Sequence, residues 1–327
     1  MRRPLLSTLA IGAMVVSLAA CGGKQHTATE AGSADDCTAG AGRITIATGN
    51  STGVYYVVGG GLAELISNNT PLRATAAETG ASVQNIEQLV SGAYDVAFSL
   101  ADTASDAVDG TGAFTAKQPI TALTRLYPNY TQVVVRADSG ITTIADMKGK
   151  AISTGSPKSG TEVIANRLLT AAGLAETDVS AQRLDLDKTV NGMKDGSIDG
   201  LFWSGGLPTP ALTDLFTSIG DQVRFIDITP QLPSLREISP VYEQASIPAA
   251  TYQTPADVPT IVVPNYLLVK DDFADGNACA ITKLLFDKHD DLAKVHPAVK
   301  QILRETAAET GNVPLHPGAE KALSSVG

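Results

Sequence analysis

The chain is poor in positive charge, in histidine and in long apolar runs, and each scarcity excludes a class of function. Against 34 Asp and Glu stand 24 Lys and Arg, a net charge of −10 over 327 residues. No basic stripe remains for nucleic acid, and such a chain is repelled rather than recruited by an anionic lipid surface. The four histidines, His26, His289, His296 and His316, lie away from every glycine-rich loop. No acid–base constellation assembles around those loops, and no enzyme activity is expected. His-Glu-x-x-His is absent and the acidic residues are scattered rather than clustered as a calcium loop, so neither a metal nor another cofactor is expected. The apolar run from Leu5 to Val16 stops well short of the ~20 residues that span a bilayer.

What is present begins with Arg2 and Arg3, that apolar run, and Leu18-Ala19-Ala20-Cys21. Together they read as an export signal over residues 1–20 ending in a lipobox, which predicts a diacylglycerol on Cys21 and an anchor on the outer face of the cell membrane. Residues 21–42 are rich in Gly, Ala, Ser, Thr and Asp, a composition that predicts a flexible tether. Of three cysteines, the lipid consumes one. Cys37 and Cys279 remain, in an oxidising compartment, and are expected to pair as a disulfide; two separate thiols are the alternative, since sequence gives no Cα separation.

From Arg43 onward, short β runs alternate with amphipathic helices, the pattern of an α/β layer fold. Strands are predicted at Ile44 to Thr48, Arg73 to Ala77 and Tyr94 to Ser99, with helices at Val54 to Asn68, Ser82 to Ser91 and from Asp102. After a strand at Gln132 to Arg136 the scheme restarts, with strands at Ala151 to Thr154, Ile198 to Trp203 and Val223 to Ile228 and helices at Thr161 to Ala172, Thr189 to Asp195 and Thr209 to Thr217. A passage carrying Pro230, Pro233, Pro240, Pro248, Pro255 and Pro259 reads as irregular. A strand at Thr260 to Val269 and helices at Asn277 to Lys288 and Ala298 to Ala308 close the chain. If the two long strands cross between lobes as a hinge, one lobe holds residues 43–136 and 263–327 and the other 137–262; two sequential domains are the alternative.

Two loops carry the chemistry. Gly49-Asn50-Ser51-Thr52-Gly53 and Gly155-Ser156-Pro157-Lys158-Ser159-Gly160-Thr161 each join a β run to a helix. Unpaired backbone N–H groups and the positive end of the helix dipole converge there, a geometry suited to an anion. Neither loop has the Gly-Lys-Ser/Thr ending of a P-loop. Candidate ligand-binding residues are Asn50, Ser51, Thr52, Ser156, Lys158, Ser159, Gly160 and Thr161. Trp203 and Gly205 join them from the strand that ends in a glycine pair, with Trp203 either on a cleft wall or in the core beneath it. Tyr55, Asn85 and Tyr252 are further candidates with amphipathic or amide groups.

These stretches resemble the TAXI-type receptors of TRAP transporters, the tripartite ATP-independent periplasmic systems. The resemblance runs nearly end to end, through Thr48 to Tyr56, Gly59 to Ala63, Gly92 to Phe98, Asp146 to Lys150, Ser156 to Thr161, Phe202 to Gly206 and Pro314 to Glu320. It implies a two-lobe, type II periplasmic-binding-protein fold that closes on a small anionic solute, glutamate-like or a dicarboxylate. The implied partner is a TRAP-type membrane permease, and the receptor is expected to be a monomer. Lys158 stands where the family usually has Gly, and Leu100 where a polar Gln is expected. A receptor of an ABC importer and a secreted hydrolase are the competing readings.

Overall fold

A computed structural model describes residues 37–324. The expected export signal, Cys21 and most of the expected tether lie outside the described residues. In chain order the elements begin with β1 (Gly42–Ala47), α1 (Val54–Asn69), β2 (Leu72–Ala77), α2 (Ser82–Val90), β3 (Val96–Leu100), α3 (Ala101–Asp109) and the long β4 (Ile120–Arg136). There follow β5 (Ala151–Ser153), α4 (Gly160–Ala171), β6 (Ser180–Gln182), α5 (Leu186–Asp195), β7 (Gly200–Gly205), α6 (Pro210–Ile219) and β8 (Val223–Phe225). The chain ends with α7 (Leu232–Ile238), β9 (Glu243–Ile247), α8 (Ala249–Tyr252), β10 (Val258–Lys270), α9 (Asp275–Asp287), α10 (His289–Ala293) and α11 (Pro317–Ser324).

All strands join one mixed sheet in the order β2-β1-β3-β10-β4-β7-β5-β6, with β8 on β4 and β9 on β10. The long antiparallel pair β4 and β10 runs through its middle. On one side β1, β2 and β3 are parallel neighbours covered by α1 and α2, and on the other β5, β6 and β7 are parallel neighbours behind α4 and α5. We call these the first and second wings. Crossover helices are what parallel strands require, and they place every strand–helix loop at the same end of its strand.

Local chemistry explains the helices. Along α1 the residues Val54, Val58, Leu62 and Ile66 recur at a spacing of one turn and are buried, leaving Glu64 to solvent. Ser159 caps α4 by accepting from the Glu162 amide at 3.0 Å, and Asp185 caps α5 by accepting from the Lys188 amide at 3.3 Å. Gly196, at φ 81°, ends α5 in the left-handed conformation. Pro210 opens α6, where its missing N–H costs nothing. A second cluster of buried side chains, built from Leu186, Met193, Leu201, Trp203 and Leu212, fills the second wing beneath α5 and α6.

Several expectations are corrected. The proline-bearing passage is not irregular: it holds α7, β9 and α8, because Pro233 sits in the first turn of α7 and Pro248 at the N-cap of α8, positions that need no donor. The strand expected from Gln132 begins at Ile120, its first half masked in sequence by the turn-like Pro128-Asn129. The helix expected over Ala298 to Ala308 is two 3-10 turns, Pro297–Gln301 and Arg304–Thr306. The Ala307 carbonyl there is held by the Arg125 amide of β4 at 2.8 Å, a tertiary bond that overrides helix propensity. Cys37 and Cys279 are joined as a disulfide, Cα to Cα 4.8 Å, tying the start of the described chain to α9.

Candidate functional site

The two loops singled out in the sequence meet across the sheet. Asn50, on the β1–α1 loop, donates from Nδ2 to Ser156 Oγ at 3.1 Å, and its Oδ1 accepts the Leu186 amide of α5 at 3.0 Å. The Gln84 amide of α2 donates to the Lys158 carbonyl at 3.0 Å. Three glycines permit this approach. A Cβ on Gly160 would stand 2.5 Å from Leu100 Cδ1, one on Gly80 would stand 2.8 Å from the Pro157 carbonyl oxygen, and one on Gly53 would stand 3.1 Å from Trp203 Cζ2. The wings are therefore shut, and the seam between them is close-packed.

Beneath the seam lies a narrow cavity in which the centre of a water-sized sphere has about 30 Å³ to move. Asn50, Tyr55, Ser156, Ser159, Gly160, Thr161, Trp203 and Gly205 line it, as expected. So do Gly80, Ala81, Ser82, Leu100, Asn129 and Ser204, which the sequence reading missed. Three helices present their N-termini: α1 at Gly53-Val54, α2 at Ala81-Ser82 and α4 at Ser159-Gly160-Thr161. Gly53 has no side chain with which to cap α1. Among the described residues no acceptor meets the amides of Val54, Tyr55 and Tyr56 in α1, or those of Gly160 and Thr161 in α4. Such groups hold negative charge without a cationic side chain.

The floor is a chain of fixed polar groups. The Tyr55 hydroxyl donates to Asn265 Oδ1, and Asn265 Nδ2 donates to Asn129 Oδ1 at 2.8 Å and to the Tyr127 carbonyl at 2.7 Å. Burial, reinforced by the neighbouring Tyr127, pushes the Tyr55 phenol well above its ordinary range, so it remains a donor. Thr161 Oγ1 accepts the Ser204 amide at 3.2 Å, while Ser204 Oγ itself has no partner although the residue is only 7 % exposed.

Five expected residues lie elsewhere. Ser51 is exposed and its amide donates to Glu78 at 2.9 Å; Thr52 donates to Asp187 across the outer seam. Lys158 points to solvent, Nζ 2.8 Å from Glu87, and its φ of 61° explains why a glycine suits that position. Asn85 is fully buried as a structural brace, donating to the Thr48 and Phe98 carbonyls at 2.7 and 2.8 Å. Tyr252 stacks on Phe216 behind the wall and bonds Gln132 and the Thr209 amide, with its phenol pushed by burial up to about 12. Trp203 does both things asked of it: its indole N–H donates to Thr209 Oγ1 at 3.1 Å within the second wing's core, while its ring edge covers Gly53.

Gly49 to Gly53 also spells the Gly-x-Ser-x-Gly string of a nucleophile elbow. Among the described residues no histidine bonds Ser51; Nε2 of His289, His296 and His316 pairs with the carbonyls of Val299, Pro208 and Phe273. Among the described residues no cluster of metal ligands occurs, and no helix is long and apolar enough to cross a membrane.

A buried ion cluster reinforces the seam behind the cavity. Arg167 of α4 reaches Asp102 Oδ2 at 2.9 Å and Asp106 Oδ2 at 2.6 Å, both on α3 of the first wing, and its Nη1 lies 3.0 Å from the Tyr242 hydroxyl. Burial raises the Asp106 carboxyl, with Arg167 opposing. Burial alone would lower the Arg167 guanidinium, but Tyr242, Asp102 and Asp106 outweigh it and hold the group charged.

Solved structures share this architecture. A protein from Bordetella bronchiseptica RB50 is similar over 86% of this chain and 88% of its own, with 21% identity and a TM-score of 0.53. A binding-protein component of an ABC phosphonate transporter from Pseudomonas aeruginosa is similar over 80% of each chain, with 12% identity and a TM-score of 0.54. A structure described as a periplasmic transporter gives 11% identity and a TM-score of 0.52 over 80% of this chain and 87% of its own. The fold is thus the mixed α/β fold of periplasmic binding proteins, with two long strands crossing between the wings. Residues 46–327, which include every element that lines the cavity, match the NMT1-like family, and the chain belongs to it.

Proposed function

We propose that the protein is an extracytoplasmic solute-binding receptor, anchored through a lipid on Cys21, that captures a small organic anion between its wings and delivers it to a membrane transporter. On this reading residues 1–20 are removed on export and 21–42 form the tether. The wings are lobes of residues 43–136 with 263–327 and of 137–262, and they move about β4 and β10. Binding, not turnover, is the activity, and no cofactor takes part. One observation carries the reading: the unpaired amides of α1 and α4, from opposite wings, face one closed cavity. Contacts from both wings give a ligand higher affinity for the shut state, which is what drives closure.

The transporter partner is a TRAP-type permease on the strength of the collinear motifs from Thr48 to Glu320. An ABC importer is the second reading, favoured by the description of the phosphonate-transporter relative. Co-purification from membranes with a multi-helix permease, or with an ATPase subunit, separates the two.

Thermal denaturation of the mature chain against a panel of small organic anions and neutral solutes tests the receptor. A ligand at about 100 times its Kd stabilises by about 2.7 kcal/mol, so a shift of several degrees with anions is expected. Stabilisation by neutral solutes alone, or by none of the panel, refutes the anion receptor.

A further inference from the structure

The cavity wall carries a notable omission. No Lys, Arg, His, Asp or Glu is among its lining residues. Asp102, a buried carboxylate of the first wing, is taken by Arg167 and by the Tyr242 hydroxyl, and does not line the cavity. The polar atoms that do face it are largely committed: Asn50 to Ser156 and Leu186, Ser82 Oγ to the Leu100 amide at 3.1 Å, and Ser159 Oγ to the Glu162 amide. What remains open are the Val54 and Tyr55 amides at the start of α1 and a group at the start of α4. Ser204 Oγ is buried and unpartnered, and its residue is bonded through its amide to Thr161, whose own amide and that of Gly160 are the open first turn of α4. Leu100, Val54 and the Trp203 ring also line the cavity.

We propose that this site selects a small carboxylate and discriminates against α-amino acids. The carboxylate lies at the start of α4, accepting from the Gly160 and Thr161 amides and from the Ser204 hydroxyl. An α-ammonium brought into the same space loses its hydration and meets no carboxylate, a cost that no neighbouring hydroxyl repays. A buried hydroxyl left without a partner is itself unfavourable, so Ser204 is satisfied when an acceptor arrives. The proposal rests on the receptor reading above and narrows its ligand class.

Matched pairs test it by calorimetry and thermal shift on the mature chain: 4-methylpentanoate against leucine, butanoate against 2-aminobutyrate, and glutarate against glutamate. Each amino acid is expected to bind at least about tenfold more weakly than its partner without the amino group, the scale of one hydrogen bond or charge left unpaired. Ser204→Ala should weaken binding of the carboxylates by about tenfold, since a hydrogen bond to a charged group is lost, and leave the melting temperature of the ligand-free protein unchanged, because no bond is lost there. An amino acid that binds as well as its partner overturns this proposal and leaves the receptor standing. Unchanged affinity in Ser204→Ala overturns the placement of the carboxylate. Failure of every acid in the panel overturns both readings together.

Discussion

Pro128 of β4 lies directly opposite Pro264 of β10. Neither can donate a ladder hydrogen bond, and the register slips between Pro264 and Tyr266. The outer neighbours change at the same point. β10 is flanked by β9 up to Val262 and by β3 from Asn265, while β4 is flanked by β7 only from Tyr130 onward. The sheet therefore narrows at this level to two strands with no donors at the facing pair. Bending concentrates where bracing is least, so on the proposed hinged closure the wings would pivot here and the loops at the seam would travel farthest. Contacts at the seam consequently report on closure, while contacts within a wing report on folding.

Gly160 is the sharpest case. A methyl there would stand 2.5 Å from Leu100 Cδ1 and 2.6 Å from Ser82 Oγ, both on the other wing. Within α4 alone, alanine is the better helix former. Gly160→Ala should therefore leave the ligand-free melting temperature unchanged or slightly higher and weaken ligand binding about tenfold, since overpacking costs about 1–3 kcal/mol. Titration followed by the fluorescence of Trp203, the single tryptophan, which crosses the seam, reads this directly. Adding Leu100→Ala should recover part of the affinity; lost stability without lost affinity would show that the seam does not open.

Arg167→Met removes the cation that holds Asp102 and Asp106 against the second wing. Breaking a buried pair by deleting one partner costs about 3–5 kcal/mol, because the remaining charges are stranded. If the wings part without ligand, water reaches both carboxylates in the open state and the loss falls on closure. The variant should then bind ligand at least a hundredfold more weakly, with a melting temperature only slightly reduced. A full loss of stability with normal affinity for the folded fraction would instead place the cluster in the fold's permanent core.

Much of this site was legible in the sequence because it rests on backbone. The loops at 49–53 and 155–161 were found from their position between a β run and a helix, and both reach the cavity. Side-chain direction was not legible. Ser51, Thr52 and Lys158 share those loops yet point outward, since direction in a turn follows the dihedral angles, as Lys158 at φ 61° shows. Gly80-Ala81-Ser82 ends another β-to-helix connection and carried the same signal as the two loops, unused. Leu100, Asn129 and Ser204 reach the cavity only through tertiary packing, and no local pattern marks them. Asn85, by contrast, is a candidate for its amide, and the fold commits that amide to the Thr48 and Phe98 carbonyls.

The Cys37–Cys279 bond closes a loop with a sequence separation of 242. In the chain-entropy picture a loop of that size restricts the unfolded state by about 5 kcal/mol, an upper figure. Reduction, or the paired change to serine, should lower the denaturation midpoint substantially while leaving ligand affinity intact, because both residues lie on the far side of the first wing from the cavity loops. Equal loss of affinity would mean that α9 also supports the cavity.

His296 ties stability to pH. Its Nδ1 accepts the Ala298 amide at 3.1 Å, so the neutral ring carries its proton on Nε2, which donates to the Pro208 carbonyl at 3.0 Å. Burial lowers its pKa, with the Pro208 carbonyl pulling the other way. The unfolded chain titrates near 6.5. Below that value the unfolded state takes up a proton that the folded state resists, so stability falls as the pH drops from the unfolded pKa toward the depressed folded one. Protonation would also place a second N–H against the Ala298 amide, ending the cap on the turn at Pro297. The protein should be measurably less stable at pH 5.5 than at pH 7.5 in urea denaturation, and His296→Asn, which retains an oxygen able to accept from Ala298, should reduce that difference. If the variant follows the same pH profile as the parent, the titrating group lies elsewhere.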